Sequence, residues 1–148
     1  MKKNARISAY VETLGHAPDF DPHYTGFFVC FNRGEYYEAH DVLEHLWLRT
    51  HDANRPFFQG LIQIAGAFVH LQKQFLRPGH PKDGRRLRPA ARLFDLGMRN
   101  IASFAPTHHR LDVTALLALC EEHVSALAHG DFERNPWTPA NAPRLDLR

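Results

Sequence analysis

RPFFQGLIQIAGAFVHLQ, Arg55 to Gln72, decides how the whole chain is read, because its apolar residues leave almost no free side. Laid out at about 100° per residue, Phe57, Phe58, Leu61, Ile62, Ile64, Ala65, Phe68, Val69 and Leu71 surround most of a helix. A helix that is apolar nearly all round is packed on from nearly every direction, so this one is expected at the centre of a bundle. Its polar residues fall in one stripe, Gln59, Gln63, His70 and Gln74, with Gly66 in the middle. A buried amide or imidazole left without a partner costs about 1–3 kcal/mol, so the stripe must face something polar.

The preceding helix is predicted from about Glu35 to Thr50, where the cluster THDANR breaks the pattern; Pro56 then suits the first turn of the central helix. Within EAHDVLEHLW, Glu38 to Trp47, the apolar face is Ala39, Val42, Leu43, Leu46 and Trp47. Glu38, Asp41, His45 and Arg49 lie opposite, toward solvent. His40 and Glu44 fall between the two groups and, four apart, stand one above the other at the margin of the core. The short connection Thr50 to Arg55 favours antiparallel neighbours, so the stripe of the central helix is expected to face His40 and Glu44. This predicts a small polar pocket between the two helices, floored by Trp47 and bordered by Tyr37, Gln59 and Arg55.

A histidine and a glutamate at this spacing can ligate one divalent ion, and His70 and Gln63 could add ligands from the facing helix. Mixed nitrogen and oxygen donors suit zinc, manganese or iron. Two other readings stay open: a satisfied polar network without ligand, and metal-free acid-base chemistry with Glu44 as base and His40 as its partner. HDVLEH is not a zincin motif, since His45 is turned about 140° from His40. No serine or cysteine stands in a recognisable nucleophile motif, so no reaction is assigned. Arg55, at the mouth of the central helix, could bind an anionic ligand or pair with surface carboxylates. The remaining histidines, His16 among them, are scattered in loops and on helix faces.

Working outward, Pro22 to Asn32 reads as a helix ended by Gly34. Beyond the turn-rich RPGHPKDG a fourth helix continues through LFDLGMRNIASF to Pro106, and a fifth covers about Leu111 to Ala128. The expected fold is all-α, a single-domain bundle of about five helices spanning 1–148, with one central helix surrounded by the others. Residues 1–18 form a poorly defined N-terminal segment, and 131–148 a proline-rich extended tail that Trp137 and Leu145 could pin.

The chain has 148 residues, a formal charge of +2 and two cysteines, Cys30 and Cys120, 90 positions apart. That spacing suggests buried free thiols rather than a disulfide framework or zinc knuckle. No apolar run approaches the roughly 20 residues of a membrane span, so the expectation is a cytoplasmic protein without a membrane partner. A charge of +2 calls for no nucleic-acid partner of the whole molecule. A homo-oligomer is compatible with it. The segment from Arg77 to Arg92 does hold six basic residues against one acid, Asp83, a local +5 that can attract phosphates or form a solvated loop. GEYYEA has the Gly-x-Tyr-x-x-Ala spacing of crossing repeat helices, which offers a non-enzymatic helical interaction module as the alternative to a metal-binding protein.

FNRGEYYEAHDVLEHLW followed by RPFFQGLIQIAGAFVHLQ resembles the core of a family of small bacterial and archaeal helical proteins, domain of unknown function 309. The resemblance rests on the F-N-x-G start, the Y-x-E-x-H core, the Q-G-L-I-Q helix and the motif H-x-x-x-E-x-x-W/Y, here His40, Glu44 and Trp47. It implies an all-helical fold with one helix enclosed by the rest and a proposed metal site at that motif, and it brings no activity. After His70 the stretch LRPGHPKDGR departs from the shorter turn usual in the family.

Overall fold

The computed structural model describes residues 3–14 and 20–148, and in it the chain is an all-α bundle. Its helices are Lys3–Glu12 (α1), Pro22–Asn32 (α2), Tyr36–Arg49 (α3), Arg55–Leu76 (α4), Leu87–Ile101 (α5) and Val113–His129 (α6). A minimal antiparallel hairpin, Thr107–His108 (β1) and Leu111–Asp112 (β2), leads into α6. Among the described residues no helix is long and apolar enough to cross a membrane.

Local chemistry sets the element ends. Asp21 starts α2 by accepting the His23 N–H at 2.8 Å, with Pro22 in the first turn. Gly34, at φ 75°, ends it: the Gly34 N–H donates to Phe31 O and the Glu35 N–H to Cys30 O, satisfying two carbonyls through a left-handed residue that glycine adopts without strain. Asp112 caps α6 by accepting from Ala115 N–H at 2.9 Å.

α4 is the central helix that its sequence predicts. Phe57, Leu61, Ile64, Ala65, Ala67, Phe68 and Leu71 are all fully buried. The Phe68 ring alone meets Phe31 of α2 at 5.2 Å, Tyr36 of α3 at 5.3 Å, Phe94 of α5 at 5.2 Å and His123 of α6 at 5.1 Å. Aromatic pairs at these separations add to the burial itself. α5 approaches α4 backbone to backbone at two glycines: a Cβ on Gly60 would lie 2.9 Å from Gly97 O, and one on Gly97 2.9 Å from Gly60 O.

The N-terminal helix and the C-terminal tail both pack against the core. α1 lies inside a segment expected to be poorly defined; it buries Val11 and packs Ile7 and Tyr10 against the core, joined by Leu14 of the turn that follows. The tail holds one short helical turn, Pro139–Asn141, and it is pinned. Trp137 and Leu145 are both buried, and Trp137 Nε1 donates to Tyr36 Oη at 3.1 Å. Both cysteines are buried and free. His16 lies outside the described residues.

Candidate functional site

α3 orients its residues as their spacing predicts. Ala39, Val42 and Leu43 are buried, and His40 and Glu44 sit at the rim with side chains 31% and 33% exposed. His40 Nε2 stands 3.7 Å from Glu44 Oε2. Its other nitrogen, Nδ1, lies 3.2 Å from Asp41 Oδ1, so both edges of the imidazole face carboxylates. Asp41, assigned to solvent from its sequence position, therefore belongs to the cluster. So does Lys3 of α1, whose ammonium is 3.8 Å from Asp41 and 4.0 Å from Glu44. α1 and α3 enclose a cavity of about 200 Å³ beside them, lined by Lys3, Arg6, Tyr10, Glu38 and Asp41 among others.

The facing stripe is not there. Gln63 accepts from Asn100 Nδ2 of α5 at 2.7 Å, and Gln74 accepts the Arg86 N–H at 2.7 Å. His70 Nδ1 accepts from Arg86 Nη1 at 3.0 Å. Gly66 looks toward Leu93 of α5. Gln59, on the same stripe, is half-buried and has no side-chain hydrogen bond to α3 among the described residues. α4 has antiparallel neighbours on both sides, and only the loop on the α3 side is short enough to have argued for a face. The glycines decide the matter: Gly60, Gly66 and Gly97 let α5 approach closely, and amides beside so close a crossing find their partners across it. Burial, followed by the Arg86 guanidinium, pushes His70 down to about 4, so it stays a neutral acceptor inside the fold. His70 and Gln63 are therefore structural, and the predicted pocket between α3 and α4 does not form.

Arg55 and Trp47 form a separate unit. Arg55 Nη1 donates to Trp47 O at 2.9 Å and Thr50 O at 2.8 Å, and its guanidinium lies 4.2 Å from the Trp47 ring centroid. Both contacts close the carboxyl end of α3, where orphan carbonyls attract a cation. Arg55 thus serves as a cap rather than meeting an anionic ligand or a carboxylate, and Trp47 lies under it rather than flooring a pocket. Tyr37 is 56% exposed, stacked 6.2 Å from the His40 ring, with Lys73 Nζ 5.9 Å from its own.

His45 also departs from its solvent assignment. It stacks on His23 at 4.7 Å, and Asp21 holds His23 Nδ1 at 2.9 Å. Burial and then the His23 ring lower the His45 pKa. Burial opposes ionisation of Asp21, and the His23 hydrogen bonds outweigh it. The signal for this pair was available only once α2 and α3 were known to lie side by side.

Among the described residues no group of three or more His, Cys, Asp and Glu side chains is arranged to hold a metal ion. The site is thus a solvent-edged row, His40, Asp41 and Glu44, with Lys3 across it. No curated protein and no solved structure matches the chain. A family model, Domain of unknown function (DUF309), does match residues 24–79, the stretch of α2, α3 and α4 that carries this row and the central helix. Through that segment, which is less than half of its length, the chain is similar to the DUF309 family.

Proposed function

We propose that the chain is a metal-binding helical protein whose divalent ion is held by His40 and Glu44 on one turn of α3. What supports the reading is the pair itself: an imidazole nitrogen and a carboxylate oxygen 3.7 Å apart, both reachable from solvent. The Lys3 ammonium pairs with Asp41 and Glu44, and the ion would displace it from Glu44. Two protein ligands leave the rest of the coordination sphere to water or to a ligand group, which suits weak, exchangeable zinc, manganese or iron(II). Asp41 would orient His40 through Nδ1 and raise its basicity as a ligand.

A metal that binds only the folded chain raises its melting temperature. Titration with Zn²⁺, Mn²⁺ or Fe²⁺ should raise the Tm of the wild type and have little effect on His40→Ala or Glu44→Gln. His70→Gln, which alters a residue held by α5, should keep the metal response. No metal-dependent shift in the wild type, or the same shift in His40→Ala, would end the proposal.

A second reading, an interaction module with a purely structural polar network, is favoured by the Gln63–Asn100 and His70–Arg86 contacts, which bind α4 to α5. A partner retained by Glu44→Gln and lost on changing Arg85 and Arg86 would favour it over the metal.

A further inference from the structure

The basic stretch 77–92 divides into spent and unspent cations. Asp83 consumes two of them: Arg86 reaches it through Nη2 at 2.6 Å and Nε at 2.9 Å, and Arg77 through Nη1 at 3.2 Å. Lys82, Arg85, Arg88 and Arg92 are exposed. Among the described residues none of these four has a carboxylate within 4.0 Å, and neither has Arg99.

The helix arranges what is left. Arg88, Arg92 and Arg99 recur at spacings of four and seven on α5, within an arc of about 40° at 100° per residue. At 1.5 Å per residue the row is about 16 Å long. Arg85 precedes it, and together Arg85 and Arg88 border a cavity of about 300 Å³ with Gly84 and Phe132. The Arg88 guanidinium lies 4.4 Å from the Phe132 ring centroid, which holds its planar fork in place at less entropic cost on binding.

Asp95, exposed between Arg92 and Arg99 on the same face, offsets one of these charges, and the net positive row that remains calls for anions. The apolar content of the face decides which kind. Leu96, 43% exposed, is its one exposed large apolar side chain, whereas a protein interface of ordinary size buries about 800 Å² per partner around a core depleted in charge. Phosphodiester contacts need no such core. One strand of a duplex offers a phosphate about every 3.4 Å, so a 16 Å row passes four or five of them. No exposed aromatic ring stands in the row to stack on a base. We propose that the outer face of α5 and the loop before it bind the phosphodiester backbone of a nucleic acid through Arg85, Arg88, Arg92 and Arg99, without reading its sequence.

The test is fluorescence anisotropy of a fluorescein-labelled 20-base-pair DNA duplex with the whole chain, over 50 to 200 mM NaCl. Three or four phosphate contacts give a slope of log K against log salt near −3, an affinity loss of about 60-fold over that range. Arg92→Ala should make the slope shallower by about one, and Arg88→Glu with Arg92→Glu should abolish binding while circular dichroism and Tm stay as in the wild type. His40→Ala should bind as the wild type does, which separates this surface from the metal proposal. Absence of binding at 50 mM salt, or an unchanged slope in Arg92→Ala, would overturn the assignment. Displacement of the duplex by polyglutamate, charge for charge, would also overturn it and point to an acidic protein segment.

Discussion

Asn32 and Leu145 hold each other through a pair of hydrogen bonds across 113 positions of sequence: Asn32 Nδ2 donates to Leu145 O at 3.0 Å, and Asn32 Oδ1 accepts the Leu145 N–H at 2.7 Å. A single side chain here does what a neighbouring strand would do for an extended segment. Arg148 adds a backbone N–H to Arg110 O at 2.9 Å, and the Leu145 side chain is 7% exposed.

Asn32→Ala would leave the donor and acceptor of Leu145 without these partners, a cost of about 1–3 kcal/mol. The expected outcome is a lower urea midpoint and faster trypsin cleavage after Arg144, read by mass spectrometry. An unchanged cleavage rate would mean that the other anchors of the tail, Trp137, Asn135 and Arg148, secure it without Asn32.

Gly97→Ala should destabilise by about 1–3 kcal/mol, because the added methyl meets Gly60 O at 2.9 Å and Ile64 Cγ1 at 2.6 Å, and a backbone carbonyl cannot turn aside. Separation of α4 from α5 would also stretch the Gln63–Asn100 bond. Gly79→Ala, whose methyl meets nothing within 4 Å, serves as the neutral comparison in the same denaturation experiment.

His70 makes stability depend on pH. Its folded pKa, about 4, lies below the ordinary 6.5, so between those values the unfolded chain binds the extra proton. The contribution is complete above about 6.5 and is lost as pH falls toward 4. His70→Gln should flatten that part of a Tm profile from pH 4 to 8. Part of the slope should survive in the variant, since burial lowers the pKa of His45, His108 and His109 as well.

The sequence carries the fold better than it carries the site. Helices α2 to α6 follow from apolar periodicity with their caps and prolines, and the enclosed α4 from its nearly continuous apolar surface. α1 was legible in the same way, since Ile7, Tyr10, Val11 and Leu14 recur at i, i+3, i+4 and i+7. The absence of capping signals and a short length hid it. The partner of the α4 stripe was not legible, because periodicity says which residues share a face and nothing about which neighbour lies over it. Two of the four proposed ligands, His70 and Gln63, were lost on that point. Asp41 was set aside for a related reason: a residue on the solvent side of one helix can still be covered by another helix, here α1.

The family match stops at residue 79, and the hydrogen bonds and rings that complete its segment come from further along. Tyr36 receives its hydrogen bond from Trp137, the Leu71 carbonyl from Asn135 Nδ2 at 2.8 Å, and Phe68 is flanked by Phe94 and His123. The recognisable portion is consequently not a portable module. Excised at its sequence boundaries, it would present a raw aromatic surface to water, so α5, α6 and the tail form the scaffold on which the row at His40 depends.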